Sequence, residues 1–222
     1  PAVMMYLNDL ISSGEIGFTG RTKDREYRPL AVLNKTNTYF LKDALEEHKI
    51  WKDFSEVTRD FRDNIRKICQ YGFNEMVNNA IDHSEGKMIE VRIEVFFDII
   101  KIWVSDDGVG IFNKIKKKYK LDDQAQSILE LSKGKLTTDP DHHSGQGIFF
   151  TSRMFDTFCI MSEGIGFIHS DAGIDIIDQI DLKNIGTTVS MEISLISERS
   201  TVEVFDEFSD TDTGFEMTII PV

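Results

Sequence analysis

The 222-residue sequence predicts a fold of the α+β class, and three patterns carry that expectation. From Phe73 to His83 the apolar residues recur at helical spacing. From Ile89 the period drops from 3.6 to 2, as it does in strands with one covered face. After Thr157 a series of short strand-like runs follows, over 157–162, 166–169, 175–181 and 187–193.

At the start of the chain, Val3, Met4, Leu7, Leu10 and Ile11 predict a helix over 2–13, with Gly14 as its stop. Residues 15–30 read as a small hairpin, turning at Thr19-Gly20 and carrying Arg21, Lys23, Arg25 and Arg28. A helix followed by a basic hairpin resembles the second half of a winged helix-turn-helix, and a plain helix-hairpin packed on the main domain is the alternative. Two further helices are expected over 41–48 and 54–65, the second leading into the Phe73–His83 helix. Ile89, Val91, Ile93 and Val95, then Ile100, Ile102 and Val104, predict a hairpin turning at Phe97-Asp98 and delivering Asp106 at its end. A basic run over 114–120 precedes a helix around 123–131 capped by Asp122. Residues 132–144 are polar and rich in Gly, Pro and Thr, the composition of a functional segment rather than of a connector.

The chemistry concentrates on the Phe73–His83 helix. Steps of three, four and seven place Glu75, Asn78, Asn79 and Asp82 in one stripe, opposite Phe73, Met76, Val77, Ala80 and Ile81. Adjacent Asn residues inside a helix are poor for helix stability, which argues against a merely solvated face. A carboxylate four residues before a carboxamide suits magnesium-nucleotide chemistry: the amide oxygen is a neutral hard ligand, and the carboxylate can orient or deprotonate a water. Asp106-Asp107-Gly108-Val109-Gly110-Ile111 sets an acidic acceptor and two glycines just beyond a strand, where the backbone can approach a flat ligand. Ser144-Gly145-Gln146-Gly147-Ile148 opens a helix, and free N–H groups at a helix start suit phosphate. Gly186-Thr187 places a hydroxyl at the start of the last strand.

Taken together and in this order, the Glu75/Asn79 helix, Asp106-x-Gly108-x-Gly110, Gly145-x-Gly147 and Gly186-Thr187 resemble the N box and glycine boxes of the GHKL ATP-binding fold. That superfamily joins gyrase, heat-shock chaperone, histidine-kinase and MutL ATPases. The resemblance covers roughly residues 40–195. It implies a Bergerat-type two-layer α/β sandwich, with a mixed, mostly antiparallel sheet, helices on one face, and ATP held under a lid over 112–144. In that frame Asn79 would hold Mg²⁺, Glu75 would activate water, and Asp106 would take the adenine amino group with Thr187 in support through a water. Asn78, Asp82, Gly108, Gly110, Ile111, Ser144, Gly145, Gln146, Gly147 and Ile148 complete the implied nucleotide site.

The expected organisation is a partial winged-helix-like segment over 1–32, an ATP-binding domain over 36–196, and an acidic linker from 197 ending in a strand-like run over 215–222. The arrangement looks most like bacterial regulators that place a winged helix before this fold and a STAS-like domain after it. The implied function is an ATP-driven switch with slow hydrolysis. A serine/threonine protein kinase of the anti-sigma-factor type is the first alternative, although those usually carry Arg where His143 stands. A non-hydrolysing nucleotide sensor on a DNA-binding wing is the second. ATP or ADP, a STAS-like domain in cis or in trans, and DNA through the wing are the implied partners.

Composition sets limits on these readings. A net charge of -13 opposes coating of nucleic acid by net electrostatics. No run is long and apolar enough to span a bilayer and no signal peptide is seen, so no membrane partner and a cytoplasmic location are expected. Cys69 and Cys159 are expected to be buried free thiols.

Overall fold

The computed structural model describes residues 2–43, 45–132, 146–180 and 186–208. Its centre is a seven-stranded sheet of β3 (Leu33–Phe40), β4 (Met88–Val95), β5 (Ile99–Asp106), β6 (Thr157–Ser162), β7 (Ile165–Ser170), β8 (Asp175–Gln179) and β9 (Thr187–Ser194). The spatial order is β3-β4-β5-β9-β6-β7-β8, and every described pairing is antiparallel. The fold is therefore α+β with an antiparallel sheet, in keeping with the mostly antiparallel sheet expected.

One face of this sheet is covered, as the period-2 pattern requires. Ile89, Val91, Ile93, Ile100, Ile102, Met191 and Ile193 are buried, while the residues between them face outward. The cover is α3 (Asp63–His83), which packs on β4, β5 and β9, together with α6 (Gly147–Met154), which packs on β6 and β7. Phe73 of α3 meets the rings of Trp51 and Phe54 from α2 (Glu47–Phe54) at 5.0 and 5.8 Å. Each such ring, fully buried, contributes roughly 2–3 kcal/mol of transfer free energy. Both cysteines are free and buried, and burial pushes the Cys69 thiol to about 12 and that of Cys159 to about 11.

Several elements differ from the sequence expectation. Residues 33–40, for which no element is expected, form the edge strand β3. The expected helix over 54–65 is instead a run of tight turns, and α3 begins at Asp63. The helix α5 (Gln124–Ser132) is capped by Asp123, whose Oδ1 accepts from Gln126 N at 2.9 Å, and not by Asp122. The first part of the expected lid is anchored. The basic run lies on α4 (Ile111–Tyr119), and Phe112, Ile115, Ile128 and Leu131 of α4 and α5 join the core. The rest of the lid, 133–144, lies outside the described residues.

The expected acidic linker begins with a helix. α7 (Thr201–Phe208) buries Val204 and sets Phe205 against Phe150 and Tyr71 at 4.7 and 5.4 Å. Its acidic residues take the outer face, which is why composition alone reads as a linker. The strand-like run over 215–222 lies outside the described residues.

Before the main sheet, α1 (Ala2–Ser12) is followed by a separate two-stranded hairpin of β1 (Ile16–Thr19) and β2 (Glu26–Pro29), as the sequence predicts. Gly14 ends α1 at φ +78°, and Arg25 stacks over Phe18 at 4.2 Å. No described helix is long and apolar enough to cross a membrane.

Candidate functional site

Antiparallel pairing places the exit of β5 beside the entry of β9, with Ser105 opposite Thr188. Asp106 and Thr187, far apart in sequence, thereby become neighbours. Asp106 Oδ1 accepts from Gly108 N at 2.8 Å and from Thr187 N at 3.3 Å. Its Oδ2 accepts no hydrogen bond from the described residues, and so offers an acceptor to a donor from outside the protein. The Thr187 hydroxyl accepts from Ile111 N at 3.0 Å, which ties the start of α4 to the same corner. The direct support from Thr187 to Asp106 is thus its backbone N–H.

Two glycines build this corner by close approach. Gly186 adopts φ +93°, and a Cβ there would press on the Asp106 backbone carbonyl. Gly108 sits so near the C-terminal end of α3 that a Cβ would fall well inside 3.0 Å of the Ser84 carbonyl oxygen. That same oxygen accepts from Val109 N at 2.9 Å. Gly110 precedes α4 at φ +81°, beside Ser162.

Burial raises the Asp106 carboxyl above the usual aspartate range, against the lowering effect of the two backbone N–H groups. The folded chain therefore holds this proton to higher pH than the unfolded chain. The stabilisation so conferred is complete below the unfolded value and is lost as the pH climbs through the folded one. Asp106→Asn keeps an Oδ1 acceptor for both N–H groups and removes the buried charge. We expect thermal unfolding of this variant to show less decline as the pH rises through that window, with a Tm at pH 7 equal to or above the parent. A lower Tm at pH 7 would mean that the carboxylate charge itself holds the corner together.

The second half of the site lies along α3. Phe73, Met76, Val77 and Ala80 are buried and Ile81 is partly so, leaving Glu75, Asn78, Asn79 and Asp82 on the more open face as the periodicity predicts. Glu75 faces the start of α6: a Cβ on Gly147 would overlap Glu75 Oε2, so glycine is what allows the approach. A carboxylate beside a helix start is well placed with respect to the helix dipole. The amide groups of Asn78 and Asn79 make no hydrogen bond with the described residues. Gln146 precedes α6 and Ile148 packs against the core, whereas Ser144 and Gly145 lie outside the described residues.

The two halves meet through the end of α3. From Glu75, beside Gly147, to Ser84, beside Gly108, the helix rises roughly 13 Å at 1.5 Å per residue. One helix thus carries the open stripe from the α6 start to the Asp106 corner.

Residues that the sequence reading did not single out hold this junction. Asp107 Oδ1 accepts from Lys87 N at 2.6 Å and Met88 N at 2.9 Å, and these bonds hold its carboxyl below the usual range. Lys114 donates to His83 O at 2.6 Å and pairs with Glu85 at 2.9 Å. Glu163, in the β6–β7 turn, accepts from Gln124 at 2.9 Å, and Gln124 also donates to Asn113 at 2.8 Å. Local periodicity carries no signal for any of these, because each partner is remote in sequence. Among the described residues, no group of three His, Cys, Asp or Glu side chains could hold a metal by itself. In comparisons with known proteins, the chain matches no family model and no curated protein.

Proposed function

We propose that this chain is a magnesium-ATP-binding domain of the GHKL type, acting as an ATP-driven conformational switch with slow hydrolysis in a bacterial regulatory protein. The observation that carries the reading is the Asp106 corner: a partly buried carboxylate with one oxygen fixed by backbone N–H groups and the other without a hydrogen bond from the described residues. Such a group selects a planar ligand bearing an amino donor, and adenine is one. The open stripe of α3 supports the same reading, because it leads from this corner to the α6 start, where N–H groups suit phosphate.

In this reading Asp106 Oδ2 accepts from the exocyclic amino group, and the fixed Oδ1 keeps the carboxylate from turning. The amide oxygen of Asn79 is a suitable neutral ligand for Mg²⁺, with the phosphates and water completing an oxygen shell. When bound, the ion would neutralise phosphate charge. Glu75 would orient a water and take its proton. Asn78 and Asp82 line the same face, and the α1–hairpin segment is read as the wing end of a DNA-binding module. Binding of ATP would change how flanking domains dock, with a STAS-like domain as the expected partner.

Incubation with γ-labelled ATP, alone and with a STAS-like partner, tests the proposal. Free phosphate released slowly by the chain alone supports the switch. Labelled partner protein would replace it with a serine/threonine kinase, and stable binding with neither product would replace it with a sensor.

Two further results are expected at individual residues. Asn79→Ala should lower Mg-ATP affinity about tenfold or more, since outer ligands alone are worth that much at a metal site, while thermal stability is kept. Titration calorimetry with and without Mg²⁺ reads the effect, and an unchanged Mg-ATP affinity would remove Asn79 from the site. In Asp106→Asn the discrimination between ATP and GTP should narrow, because an amide can present a donor where only an acceptor is wanted. Equal discrimination in variant and parent would show that Asp106 does not read the base.

A further inference from the structure

Two glycines set the distance between α3 and α6. Gly72 of α3 lies against Phe155, just past α6, where a Cβ would come within 2.5 Å of the ring. Gly147 of α6 lies against the Glu75 carboxyl, so the α6 start presses on Glu75 from one side. On the other side, Glu75 reaches back over Tyr71, because helical side chains lean toward the N-terminus and residues four apart are neighbours. Burial first, and then the Glu75 charge, push the Tyr71 phenol above the usual tyrosine range, as their closeness requires.

Tyr71 is in turn held by α7. The Phe205 ring meets Tyr71 of α3 at 5.4 Å and Phe150 of α6 at 4.7 Å, so one ring bridges the two helices that flank Glu75. The approach to α7 is pinned at the C-terminal end of α6, where Arg199 donates to Met154 O at 3.0 Å and to Asp156 Oδ1 at 2.9 Å. Its far end sets Phe208 against Phe149 at 5.9 Å, so α7 runs antiparallel to α6 toward the α6 start. Asn64 of α3 donates to Ser197 O and Arg199 O, both at 2.9 Å. A capping box opens the helix: Glu203 Oε2 accepts from Ser200 N at 2.9 Å, and Ser200 Oγ accepts from Glu203 N at 3.2 Å. With only eight residues, α7 is too short to be stable alone, so forming it and docking it are one event.

We propose that Tyr71 is the positioning residue for Glu75 and that α7, through Phe205, holds Tyr71 in place, so that docking of α7 governs the rate of ATP hydrolysis. This inference rests on the nucleotide reading of the site and names what regulates it. An event that draws α7 away would release Tyr71 and slow hydrolysis while ATP stays bound.

Leucine substitutions test the chain of contacts. Tyr71→Leu and Phe205→Leu should each slow single-turnover ATP hydrolysis by roughly tenfold or more, since a small misplacement of a reacting group costs that much. ATP affinity by calorimetry should stay within about threefold of the parent, because the lost support acts on the chemical step. Tyr71→Phe should restore the rate lost in Tyr71→Leu, since the ring does the holding. In a Glu75→Gln background neither leucine variant should slow the reaction further, because residues that act as a unit are not additive. Phe54→Leu is the control for lost stability: Phe54 is fully buried against Phe73, on the opposite side of α3, and its loss should lower the Tm and leave the rate. Without nucleotide, amide exchange over 150–154 should quicken in Phe205→Leu and not in Phe54→Leu. A parent that neither binds nor hydrolyses ATP would remove the nucleotide reading and this inference together. With an active parent, four results would each overturn the inference alone: parental rates in both leucine variants, no rescue by Tyr71→Phe, a further loss in the Glu75→Gln background, or an equal loss in Phe54→Leu. Unchanged exchange over 150–154 in Phe205→Leu would overturn it as well.

Discussion

Glu75→Gln is expected to slow ATP hydrolysis by about a hundredfold or more while ATP still binds, because loss of a general base usually costs that much. The argument rests on position. Glu75 lies in the same stripe as Asn79 and faces Gly147 at the start of α6, so it sits at the phosphate end of the proposed site. Asp106 lies at the other end of the α3 stripe, where the proposed site would read the base. The glutamine keeps the side-chain volume against Gly147 and removes only the charge, which separates chemistry from packing. Glu75→Ala opens space beside Gly147 and should give the same loss of rate with the ATP complex accumulating. Single-turnover release of labelled phosphate, beside calorimetric ATP affinity, reads both quantities. Parental rates in both variants would place the base elsewhere. Loss of ATP binding in both would make Glu75 a structural residue and the reading of the stripe wrong.

Gly108→Ala should give a large loss of stability, about 3 kcal/mol or more. An added Cβ would meet the Ser84 carbonyl oxygen, carbonyl carbon and Cβ, and two of these are backbone atoms that cannot rotate aside. Moving the loop away would break the bond from Val109 N to Ser84 O and disturb the bond from Gly108 N to Asp106 Oδ1. Moving Ser84 would disturb the end of α3, which Lys114 also holds through His83 O. Val109→Ala is the control, since Val109 is exposed and surface truncation seldom exceeds about 0.5 kcal/mol. Urea unfolding of the two variants against the parent measures the difference. If Gly108→Ala were as stable as Val109→Ala, the close approach to α3 would not be a constraint.

Elements whose signal is local were legible in the chain. The α3 stripe and its buried face follow from a 3.6-residue period, and the β4–β5 hairpin from a period of 2, down to Asp106 at the strand exit. The β6, β7, β8 and β9 runs and the α1–hairpin segment could be read in the same way. Elements without a strong period were not legible. Residues 33–40 alternate polar residues with half-buried ones at a sheet edge, so β3 shows little contrast. The acidic face of α7 hides a helix whose Val204, Phe205 and Phe208 need α3 and α6 to cover them. The Lys-rich α4 likewise conceals the Phe112 and Ile115 anchors.

At the candidate site the division follows the range of the interactions. The sequence alone determined which side chains share the α3 stripe, because helix geometry acts over a few residues. It also determined that an acidic residue and glycines follow β5. Only the tertiary structure decided that β9 inserts between β5 and β6, and so sets the Thr187 N–H on Asp106. It likewise decided that Gly108 meets Ser84 and that Gly147 meets Glu75. These are contacts between segments distant in the chain, made by strand register and helix packing, for which no local pattern exists. The charge state of Asp106 belongs to the same category, since burial by remote segments raises its carboxyl, and a carboxylate at a strand end shows nothing of that in the sequence.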